Sequence, residues 1–138
     1  MNTIDRQCEK FMGGPTVSYK ERVHVTLDNS GRIFLNQKAH NMMGRPLGVY
    51  LYYNRPKDMI ILERTDALSS NNAFVFKDGG FSARLLYAKP FFKHFNIRVQ
   101  GTVKFLTPST DALGNLYLKL SETINVSVGR RPRKNKSE

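Results

Sequence analysis

Five cations, Arg32, Lys38, Arg45, Arg55 and Lys57, lie between Asn29 and Lys57 without one Asp or Glu among them. A second window, Gly79 to Thr110, holds Arg84, Lys89, Lys93, Arg98 and Lys104 and again no acid. Cations left without neighbouring acids suit phosphates, because each phosphate neutralised releases condensed counterions. Arginine adds a planar fork that pairs two-pronged with a phosphate or a guanine edge. Arg32 follows Gly31 and opens the apolar run IFL, so its side chain can project from the end of a hairpin. The candidate nucleic-acid contacts are Arg22, Arg32, Lys38, His40 and Arg45, then Arg84, Lys89, Lys93, His94 and Arg98. Arg130, Arg131, Arg133, Lys134 and Lys136 in the terminal GRRPRKNKSE complete the set.

Other chemistry is poorly supplied. His24, His40 and His94 have no second ligand at metal-binding spacing, so no metal is expected. The single cysteine, Cys8, excludes a disulfide framework within the chain. No Ser or Cys sits in a nucleophile motif, and Gly79–Gly80 lacks the strand–GxxxxGK–helix order of a phosphate loop. Neither enzymatic activity nor a cofactor is expected. Lys and Arg number 22 against 11 acids, a formal charge of +11. A surplus of that size self-repels and favours a polyanionic partner. No apolar run approaches the ~18 residues of a membrane span. MNTIDRQCEK has no apolar stretch like that of a signal peptide, so a cytoplasmic, nucleoid setting is expected.

The elements that would hold these cations follow from patterning. RVHVTL alternates as a strand, DNSG is a turn and RIFL a second strand. NQKAHNMMG reads as a short helix, with Ala39, Met42 and Met43 on its apolar face and Lys38 and His40 toward solvent. Asn36 is its N-cap and Gly44 its stop. GVYLYY and MIILE make a hairpin about NRPKD. The order then returns: AFVFK, the turn DGG, FSARLL, a helix in YAKPFFKHFNI, GTVKFL, a longer turn TPSTDALGN, and LYLKLSE, with INVSV as a further strand. Pro90 is tolerable only in the first turn of its helix. Phe91, Phe92 and Phe95 are assigned to the core by spacing.

The chain therefore reads as two ββαββ repeats. A shift of 49 lays Gly31 on Gly80, Ala39 on Ala88, and Met42 and Met43 on Phe91 and Phe92. Residues 1–20 are read as a flexible arm, 21–65 as the first repeat, 66–128 as the second, and 129–138 as a disordered basic tail. One such unit buries little surface alone, so the two are expected to share one core.

The stretch VTLDNSGRIFLNQKAHNMMGRPLGVYLYYNRPKDMIILER resembles the AbrB/SpoVT swapped-hairpin family of bacterial DNA-binding regulators. That family has a turn ending in Gly-Arg, an apolar strand, a short helix closed by glycine and a β-hairpin. Gly31–Arg32 and Gly44 match it here. A tandem pair resembles the arrangement in MraZ-type proteins, whose Asp-x-x-x-Arg spacing is met by Asp28 and Arg32. In the second repeat Asp78 meets Ser82 at that spacing, and Asn36 stands where the family has proline.

The resemblance implies an α+β, mainly β fold, with two repeats closing a swapped-hairpin β-barrel. It implies a transcriptional regulator or nucleoid-associated protein that contacts double-stranded DNA beside Arg32. A homodimer or a higher oligomer is left open, and no membrane partner is expected. The alternatives are a binder of RNA or single strands that stacks bases on tyrosines, and a phage-type factor that docks an acidic protein such as a polymerase.

Overall fold

The computed structural model describes residues 7–9, 11, 13–14 and 22–127. Most of the expected N-terminal arm, and the whole basic tail, lie outside the described residues. The first half runs β1 (Val25–Asp28), β2 (Arg32–Leu35), α1 (Gln37–Met42), β3 (Gly48–Asn54) and β4 (Met59–Thr65). The second runs β5 (Phe74–Val75), β6 (Lys77–Asp78), β7 (Arg84–Tyr87), α2 (Lys89–His94), β8 (Thr102–Phe105), β9 (Ser109–Thr110), β10 (Leu116–Lys119) and β11 (Thr123–Asn125).

Period-two patterning makes the strands, because successive side chains on a strand face opposite ways. Val25 and Leu27, Ile33 and Leu35, Ile60 and Leu62, and Leu116 and Leu118 are all buried, and the residues between them are less so. Helix α1 is too short to be stable alone and is held at both ends. The Asn36 side chain accepts from Ala39 N–H at 3.0 Å. Gly44 stops the helix at φ +79, where a side chain would be strained. Ala39 and Met43 are buried, as the spacing requires. In α2, Pro90 occupies the first turn, and Phe91 and Phe92 pack inward.

The strands form two antiparallel sheets, of order β11-β8-β1-β2-β7-β6 and β5-β3-β4-β10-β9. The fold is mainly β, but the expected closed barrel does not form. The strand expected over AFVFK breaks at Phe76, whose N–H donates to Leu47 O at 3.0 Å. Its two ends therefore join different sheets, β5 one and β6 the other. The turn at 120–122 divides β10 from β11 in the same way. The longer turn expected over 107–115 contains β9.

The two halves interleave. Strand β2 pairs with β7, β1 with β8, β3 with β5, and β4 with β10. Ile33 lies opposite Leu86, both fully buried. One hydrophobic cluster takes Val25, Leu35, Ala39 and Leu62 from the first half and Leu86, Phe92, Phe105 and Leu118 from the second. Burying each such side chain contributes roughly 1.5–3 kcal/mol, and the cluster draws them from both halves.

Two register expectations are corrected. The helices align Gln37 with Lys89 and Met42 with His94, a shift of 52 rather than 49. The bonds beyond them agree: Arg45 N–H reaches His40 O, and Ile97 N–H reaches Phe92 O. The strand expected from Phe81 begins at Arg84, because Phe81 and Ser82 have φ of +49 and +64 and belong to the turn. The shift of 52 lays Arg84 on Arg32, each the first residue of its strand. They face opposite ways, however. Arg32 lies opposite exposed Tyr87, while Arg84 lies opposite Leu35 of the core.

Candidate nucleic-acid interface

Each half's hairpin turn sits against the other half's helix. The first turn closes with Gly31 N–H on Asp28 O at 3.1 Å, and the Asp28 carboxylate accepts from Ser30 N–H and Arg32 N–H, each at 3.0 Å. Gly31 has φ +81, and a Cβ there would lie 2.7 Å from Lys89 Cα. Glycine is thus required twice over, by the turn and by the approach of α2. Ala88 N–H donates to Gly31 O at 2.8 Å and joins the turn to the start of that helix.

A cleft of about 380 Å³ lies along this contact. The first turn, 28–31, forms one wall. Lys89, Phe92 and Lys93 of α2 and the exit loop 96–99 form the other. Lys89, Lys93 and Arg98 are exposed there, and none makes an ion pair with a described acid. A further cleft of about 430 Å³ shares loop 96–99 and adds Arg55 and Asp58. The counterpart of the first cleft, about 730 Å³, lies between the second turn and α1. Asp78, Phe81, Ser82 and Arg84 face His40, Arg45, Pro46, Leu47 and Phe76 across it.

Arg32 is exposed beside the first turn, and its Nε donates to Asp28 Oδ2 at 2.8 Å. The cation thus has an acidic partner, one residue before the window that lacks acids. The pair holds Arg32 against its own turn. Arg22 and Lys38 are exposed outside the clefts. The Arg22 carbonyl accepts from Asn36 Nδ2 at 2.6 Å. Arg45, at φ +55, and Arg84, whose Nη1 donates to Ala83 O at 3.0 Å, line the second cleft. His94 is exposed with its ring edge-on to Phe95. Arg130, Arg131, Arg133, Lys134 and Lys136 lie outside the described residues.

His40 was expected at the surface and is not there. It is 5% exposed, with Phe76 from the other half 5.0 Å away, ring edge to face. Its Nε2 carries the hydrogen, because its partner at 2.9 Å is the Pro46 carbonyl, which can only accept. Burial holds its pKa below the ordinary imidazole value. The bond to Pro46 opposes that shift, and the charges of Arg84 and Arg45 add to it. His24 is shifted the same way by burial, Lys104 and Arg22. His40 therefore supports the cleft floor as a neutral ring.

Sequence reasoning overlooked the walls of the clefts. Asn29, Ser30, Asn96 and Phe81 line them, and only the DNSG turn signal pointed to the first two. Tyr52 and Tyr87 are exposed. The Tyr52 hydroxyl donates to Glu63 at 2.8 Å, and the Tyr53 hydroxyl donates to Asp58 at 2.6 Å. Among the described residues no three His, Cys, Asp or Glu side chains gather as metal ligands. No described helix is long and apolar enough to cross a membrane. No family model, curated protein or solved structure matches the chain.

Proposed function

We propose that the chain binds duplex DNA as a transcriptional regulator or nucleoid-associated protein, with a swapped-hairpin arrangement of its two repeats. The observation that carries the reading is the pair of turn-against-helix clefts, one lined by Lys89, Lys93 and Arg98 and the other by Arg45 and Arg84. These cations have no acid partner among the described residues. Each therefore stays available to a phosphate. The exchange of strands between halves supports the swapped-hairpin part of the reading, since β1 pairs with β8 as β5 pairs with β3.

The test compares a mixed-sequence duplex with each of its separated strands and with an RNA hairpin, all at one salt concentration. Tighter binding to the duplex is expected, weakened several-fold by Lys89→Ala combined with Lys93→Ala. Preference for either single strand or for RNA would replace this reading with the single-strand one. Binding to none of the three would leave an acidic protein as the partner.

A further inference from the structure

Phe81 stands at the tip of the second turn with its side chain fully in water, 104% exposed. Phenylalanine is among the residues most often buried, and bulky side chains rarely take positive φ. Phe81 does both. Gly80, Phe81 and Ser82 have φ of +84, +49 and +64, three left-handed residues in a row. The tip is nonetheless tightly tied. Gly79 N–H donates to Ala83 O at 2.9 Å, Ala83 N–H to Gly80 O at 2.8 Å, and Gly80 N–H to Asp78 Oδ1 at 3.0 Å. A ring that packs on no described residue, on a turn braced in an unfavourable conformation, points to a partner outside the chain.

The surroundings say what kind of partner. The tip forms one rim of the 730 Å³ cleft, and Arg45 and Arg84 line the same cleft. The whole chain carries +11. We propose that Phe81 is a wedge that enters between two base pairs of a duplex, while Arg45 and Arg84 hold the adjoining phosphates, so that the nucleic acid is kinked where the second turn meets it. Apolar side chains unstack and bend duplexes in this way, and one ring suffices for one step. A membrane would gain less, because Leu47 is the one other largely exposed aliphatic or aromatic side chain among the described residues of this cleft, while Arg45 and Arg84 line it with charge. The first turn carries Asn29 and Ser30 at its tip, so the kink is confined to one side of the molecule.

This inference rests on the proposed duplex binding, and the experiment separates the two. The full chain is mixed with a duplex of about 30 base pairs, labelled at both ends for energy transfer and carrying 2-aminopurine at successive steps. The wild type is expected to shorten the end-to-end distance and to brighten one step. Phe81→Ala and Phe81→Gly should bind roughly tenfold more weakly and leave the duplex straight. Both should melt no lower than the wild type, since the exposed ring contributes no packing. Phe81→Trp should still bend the duplex. Bending by Phe81→Ala equal to that of the wild type would overturn the wedge, as would wild-type binding to a straight duplex, and neither would touch the proposed function. Absence of duplex binding would overturn both. Binding to anionic vesicles that disappears in Phe81→Ala, with duplex bending unchanged, would place the ring in a membrane instead.

Discussion

Replacing Asn36 by alanine should destabilise the protein by about 3 kcal/mol, through three backbone partners lost together. Asn36 is 2% exposed. Its Oδ1 accepts from Ala39 N–H at 3.0 Å and from His24 N–H at 3.1 Å, and its Nδ2 donates to the Arg22 carbonyl at 2.6 Å. The cap on α1 is worth about 1 kcal/mol. The strand-entry N–H and C=O add about 1 kcal/mol each, because the alanine leaves them without these partners in a partly dry site. For a chain of this size that is a fall in melting temperature of about 10 °C. A proline at this position would not serve, since the Asn36 N–H donates to His24 O at 3.0 Å. The assay is reversible urea unfolding of the wild type, Asn36→Ala and Asn36→Ser. Serine can restore the cap alone, so Asn36→Ser should recover about 1 kcal/mol of the loss. If Asn36→Ser matched the wild type, or if Asn36→Ala cost under ~1 kcal/mol, the link from helix to strand entry would carry no weight.

Three further outcomes are expected. Arg32→Ala should weaken duplex binding by about 1–3 kcal/mol if its fork meets a base, while Lys57→Ala in the opposite turn changes affinity little. Equal losses would mean that general charge explains binding. Removing residues 130–138 should weaken all duplex sequences alike and flatten the salt slope by about one for each cation that had met a phosphate; a changed sequence preference would refute this. His40 is held below its ordinary pKa of about 6.5, so the unfolded chain takes up its proton first as pH falls. The stability from neutral His40 is therefore complete above about pH 6.5 and is lost below it. Chemical denaturation at pH 7.5 and pH 5 should show the wild type losing more stability than His40→Gln, and parallel losses would exclude His40 as the source.

Local signals were readable and long-range ones were not. The cap at Asn36 and the stop at Gly44 depend on a few consecutive residues, and both stand where the pattern places them. The buried alternation of Val25–Leu27 and Leu116–Leu118 is equally local. FSARLL looks like a strand by alternation, but Phe81 and Ser82 adopt the turn's left-handed conformation, which alternation does not encode. The repeat was misaligned because Gly31 and Gly80 are both turn glycines yet hold different turn positions, and the helix ends reveal the true shift. His40 was misplaced because Phe76, which covers it, belongs to the other half and lies far along the chain. The acid-free windows showed where cations gather. They gave no sign that one half's turn would meet the other half's helix, because that contact follows from strand exchange.

Salt dependence of duplex binding tests the central claim most directly. Lys89, Lys93 and Arg98, with Arg45 and Arg84, supply five cations in the two clefts that no described acid neutralises. If each neutralises one phosphate, the logarithm of the association constant should fall against the logarithm of salt concentration with a slope of about −5. The fluorescence anisotropy of a labelled mixed-sequence duplex, titrated with the full chain at several salt concentrations, measures it. A slope near −5 or steeper, made shallower by about two in the Lys89→Ala, Lys93→Ala double variant, is the predicted result. A slope unchanged in that variant, or a duplex that stays free at low salt, would contradict the account.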